Sequence, residues 1–191
     1  MPDEMMPHKM MRANHAKALH DKIAKKAPIE GVWIGNPDDK STWGVHFKNA
    51  TEQQIADANA EIQAYDTFPT IIEGEVKRAS DLIGAFIEER YSLRHQMALS
   101  NLRMDAKIKK KVSAETYLDS CWDWMSNVMN VYYTKEAQIL TIVAQVGVTK
   151  TKQQAATEVE QLVDAIDLSA HDATDPKVTI KEAMRRLNEE A

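Results

Sequence analysis

Residues 72–107 read IEGEVKRASDLIGAFIEERYSLRHQMALSNLRMDAK, and this stretch decides the fold. Apolar side chains recur at alternating steps of four and three: Ile72, Val76, Ala79, Ile83 and Phe86, then Leu93, Met97 and Met104. Arg90, Ser100 and Lys107 hold the seam positions between them. A repeat of this period predicts a helix that buries one narrow stripe against other helices. It predicts one continuous helix from about Ile71 to Val112, on the order of 60 Å long. Gly74 and Gly84 weaken that helix by roughly 1 kcal/mol each relative to Ala. Polar residues on such a seam reduce stability but specify register and oligomer number. If the seam instead ends near Met97, they are exposed.

A second long helix is expected over about 114–146, after Ser113 as its N-cap and Glu115 in its first turn. Leu118, Cys121, Met125, Val128, Tyr132, Ile139, Ile142 and Val146 form its main stripe. Trp122, Met129, Leu140 and Val143 widen it, enough for a globular bundle as well as a seam. Gly147 suits the C-cap. The two long helices together predict an antiparallel hairpin.

Shorter elements surround it. Residues 3–26 read as a helix that is basic at its end, closed by Pro28. Gly31-Val32-Trp33-Ile34 and Trp43-Gly44-Val45-His46-Phe47 are β-prone runs separated by turn formers, which predicts a small hairpin. Thr51-Glu52-Gln53-Gln54 is a capping box, followed by the stripe Ile55, Ala58, Ile62 and Tyr65. That helix is the expected cover for two strands that are marginal alone. Trp33, Trp43 and Phe47 are expected to anchor this module, or else to form a docking face. A helix is expected over about 151–166, then a polar loop, then a last helix behind Thr179-Ile180-Lys181-Glu182.

The predicted fold class is therefore mainly α: a long antiparallel helical hairpin or bundle with a small β-hairpin-plus-helix module. Four parts are expected: a Met-rich helical arm over 1–28, the strand-plus-helix module over 29–68, the long hairpin over 69–148, and short helices over 149–191.

Composition narrows the function. The 191 residues contain only six Gly and six Pro, too few for an all-β fold with many tight turns. A net charge of −5 disfavours a general nucleic-acid binder, although Lys107 to Lys111 form a local basic run. The lone Cys121 excludes an internal disulfide and fits a reducing compartment. No apolar run reaches the roughly 18–20 residues of a bilayer span. Met1-Pro2-Asp3-Glu4, followed by Lys9 and Arg12, lacks the apolar core of a signal peptide. The expectation is a soluble protein made, and used or assembled, inside a cell.

No residue constellation names a reaction. His15 and His20 are five apart and point to different helix faces, unlike zinc ligands at helical spacing. Cys121 sits on an apolar stripe with no cation within a turn to lower its pKa. Glu88, Glu89, Asp119 and Asp123 lack the Glu-x-x-His partners of a di-iron bundle. Calcium loops, phosphate-binding Gly loops and nucleophile elbows are absent. The chain is expected not to be an enzyme, with no catalytic, cofactor-binding or metal residue. Met1, Met5, Met6, Met10 and Met11 instead crowd the N-terminus, and flexible thioethers suit an adaptable apolar contact.

Residues 43–66, from Trp43-Gly44-Val45-His46-Phe47 through Ala50-Thr51-Glu52-Gln53-Gln54-Ile55 to Ala64-Tyr65-Asp66, carry a resemblance. The stretch resembles a short module in small tailed-phage proteins, often encoded near tail-fibre genes. Its pattern is an aromatic-bearing strand, then Ala-Thr-Glu-Gln-Gln, then an Ala-rich helix ending in aromatic-Asp. Glu88-Glu89-Arg90-Tyr91-Ser92-Leu93-Arg94 is similar in tone to the helical region that follows in some of them. The family supplies no catalytic residues. The resemblance implies a structural or adaptor component of a virion, associated with tail, fibre or neck and assembled in the host cytoplasm. Its expected partners are other virion proteins and itself, as a dimer or trimer; a membrane partner is not expected. The expected interface residues are Met5, Met6, Met10 and Met11 on the arm, and Ile72, Val76, Ile83, Phe86 and Met97 on the seam. The alternative is a cytoplasmic helical interaction module or chaperone-like adaptor that holds another helix in an apolar groove.

Overall fold

The structure, a computed structural model, describes residues 6–35 and 39–189, with side chains from His15 onward. The order of elements is α1 (Met6–Ile23), β1 (Ile29–Trp33), β2 (Gly44–Phe47), α2 (Glu52–Ala64), α3 (Phe68–Arg90), α4 (Leu93–Ile108), α5 (Val112–Ala144), α6 (Lys152–Asp164), α7 (Ser169–Ala173) and α8 (Ile180–Glu189). The fold is mainly α with one small antiparallel hairpin. The chain divides into two compact units, Met1–Gly74 and Glu75–Ala191, so the boundary falls inside α3.

In the first unit β1 and β2 pair antiparallel, with Val32 opposite Val45 and an irregularity between Ile29 and Gly31. Asp39 sets the turn that leads into β2, accepting from the Ser41 amide at 3.0 Å and its hydroxyl at 2.6 Å. Two helices contact the hairpin, α1 on β1 and α2 on β2. Their shared core is Leu19, Ile23, Ala27, Trp43, Ala58, Ile62 and Tyr65. Thr51 caps α2 as its sequence predicts: both bonds of the capping box form. The part of α1 with described side chains is thus built into this core. Trp43 is buried and Phe47 packs on the core, but Trp33 stays 46% exposed. Its ring lies 4.8 Å from that of His46 and covers Gly44, where a Cβ would sit 1.9 Å from the indole.

In the second unit α4 and α5 form an antiparallel hairpin, marked by the nested ion pairs Lys107–Glu115 and Arg103–Asp119. The hairpin is shorter than the sequence predicts, because the helix expected over 71–112 is two helices. Arg90 ends α3 and Leu93 begins α4. Ser92 takes an extended backbone (ψ 153°), and its side chain accepts from the His95 amide at 3.3 Å. A serine that caps the next helix competes with continuation of the last one. The Gln96 side-chain amide donates to the Tyr91 carbonyl at 2.6 Å, replacing a bond that the break would leave unmade.

The turn after α4 is a Schellman motif. The Lys111 amide reaches the Ala106 carbonyl at 2.9 Å, and the Lys110 amide reaches Lys107 at 3.2 Å. Lys110 occupies the left-handed position with φ 55°. This turn brings α5 in at Val112 with Lys111 at its N-cap and no side-chain cap, so Ser113 is not the cap. Farther on, Gly147 takes φ 79° in the turn between α5 and α6. A second full capping box, Thr151 with Gln154, opens α6. α8 packs on both α4 and α5, and α6 packs on α5. α8 shares one core with the hairpin; Val178, Ala183 and Leu187 lie in the same cluster as Leu99, Leu118 and Trp124.

Candidate interaction surface

The break at Tyr91–Ser92 changes which face of the chain looks inward. Within the second unit the buried positions of α3 are Glu75, Ala79, Ile83 and Ile87, and Tyr91 follows at the junction. On α4 the inward set is Leu99 and Ala106, with Leu102 packed beside them. The seam positions Leu93, Met97 and Met104 fall on the opposite face, together with Ile108. They are 65%, 62%, 63% and 76% exposed. α4 therefore carries two apolar faces, one spent in the core and one in water. A helix apolar on both sides is the pattern of a helix buried on both sides. Full burial of each such side chain is worth roughly 1.5–3 kcal/mol, so several kcal/mol of burial are unrealised on this face. Arg94, Lys107 and Lys110 are exposed beside it, and Lys107 pairs with Glu115.

The seam residues expected at an interface separate accordingly. Met97 is on this outer face. Ile83 is fully buried in the chain's own core, so it is not available to a partner. Phe86 is half-buried; its ring stacks on Trp124 at 5.9 Å and carries the Arg90 guanidinium at 3.6 Å. Ile72 and Val76 are half-buried on α3. Met5 lies outside the described residues, as do the side chains of Met6, Met10 and Met11. Arg90, a polar seam position, serves an intrachain role: it donates to Asp172 at 2.6 Å and to the Phe86 carbonyl at 2.9 Å. That bond holds the Asp172 carboxyl below its usual range.

Two concavities accompany the stripe. One is an open trough of about 780 Å³ between α5 and α6, walled by Tyr133, Thr134, Ala137, Thr141, Ile142 and Leu162. The Thr134 and Thr141 hydroxyls donate to the backbone carbonyls of Asn130 and Ala137. The other is a shallow depression of about 340 Å³, floored by Leu82, Ala85, Phe86, Ile166 and Leu168 with Glu89 at its edge. Neither was legible in the seam, since Tyr133 and Leu82 lie off its period. The exposed small side chains Ala137 and Thr141 are the only signal of the trough in the sequence.

The reactive side chains are placed for structure. Cys121 is buried, and burial pushes its thiol up to about 12, away from thiolate chemistry. Among the described residues no group of three or more His, Cys, Asp and Glu is gathered as for a metal ion. No described helix is long and apolar enough to cross a membrane. Comparison with known protein families, with characterised proteins and with solved structures finds no match.

Proposed function

We propose that this chain is a structural adaptor that works through helix-mediated protein contacts, with the outer face of α4 as its contact surface. The observation that carries the reading is the exposed row Leu93, Met97, Met104 and Ile108, set opposite a buried row on the same helix. The resemblance of residues 43–66 to tailed-phage proteins supports a bacteriophage virion as the setting, in tail, fibre or neck. Replacing Met97 by a photo-crosslinking residue tests the contact: adducts at Met97, and none at the exposed Ser126 of α5, support it. Equal labelling at both positions contradicts it. Mass spectrometry of purified particles tests the setting. Peptides of this chain in fixed ratio to structural proteins support a virion component, and their absence contradicts it.

The trough between α5 and α6 favours a second reading, an interaction module that is monomeric when free and holds a partner helix there. Under that reading Thr141→Arg abolishes partner binding, and Met97→Glu leaves it intact.

A further inference from the structure

We draw no further inference here: the strongest candidate, the exposed row Leu93, Met97, Met104 and Ile108 on the outer face of α4, belongs to the contact surface already described, and nothing in the structure shows what covers it.

Discussion

The Tyr91 hydroxyl donates to the Asp175 carboxylate at 2.7 Å and, through the same oxygen, accepts the Val178 amide at 3.0 Å. This pair ties the junction of α3 and α4 to the loop that delivers α8. Tyr91 is 1% exposed, and its ring packs against Trp124 at 5.6 Å. A second tyrosine repeats the device: the Tyr117 hydroxyl accepts the Thr179 amide at 3.0 Å. Tyr91→Phe keeps the ring but strands the buried Val178 amide. Leaving such a donor unmet costs about 1–3 kcal/mol. Urea denaturation should show that loss, and hydrogen exchange should quicken over Val178 to Leu187 before the rest of the unit. Unchanged stability and exchange would show that the pair does not hold α8.

Burial raises the Tyr91 phenol above its ordinary range, and the bond to Asp175 adds to this; burial likewise lifts the Cys121 thiol to about 12. Both groups stay protonated in the folded chain at a pH where the unfolded chain releases its protons. Their contribution is therefore intact below about pH 8.5 and is lost as pH rises through the ordinary thiol and phenol values. Denaturation midpoints should fall between about pH 9 and 12. The Tyr91→Phe, Cys121→Ala pair should flatten that fall; an equally steep fall would locate the alkaline sensitivity elsewhere.

The first unit should be acid-sensitive for the opposite reason. His15 is fully buried, its ring edge-on to Tyr65 at 6.1 Å, and both its nitrogens lack a hydrogen-bond partner among the described residues. Desolvation lowers its pKa, so the folded chain resists a proton that the unfolded chain accepts. Stability is whole above about pH 6.5 and declines as pH falls below it. His15→Phe should remove that decline, read from the Trp43 environment by fluorescence. A variant with the wild-type acid profile would contradict the assignment.

Lys110 holds a left-handed backbone with φ 55° at the Schellman position after α4. That conformation costs an L-residue about 1–2 kcal/mol, and glycine adopts it freely at a smaller entropic cost. Lys110→Gly should stabilise the second unit by about 0.5–1 kcal/mol in thermal unfolding. A destabilised variant would mean that the lysine side chain supports the turn in another way.

Much of the fold was legible because local signals agreed with it. Thr51 and Gln54 announced α2, the β-prone runs around Val32 and Val45 with turn formers between them announced the hairpin, and the broad stripe through Leu118, Cys121 and Met125 announced α5. The break at Ser92 was not legible. Leu93 and Met97 continue the heptad spacing without interruption, so periodicity alone runs straight through a junction that is fixed by Tyr91 and its distant partners Asp175 and Val178. The same slip hid the outer face of α4: a stripe that looked like core lies in water. Thr179 marked the start of α8, but Glu182 turns away from the cap to bind Arg185 and Arg186, a choice set by charges one turn on. The depression on α3 needed Ile166 and Leu168, which only the folded chain brings beside Leu82.

The most direct test of the account is sedimentation velocity of the wild-type chain beside a Leu93→Glu, Met97→Glu, Met104→Glu variant over a wide range of concentration. If the outer face of α4 is a contact surface between copies of this chain, the wild-type sedimentation coefficient rises with concentration and that of the variant stays at the monomer value. Identical, concentration-independent monomers would contradict that self-contact.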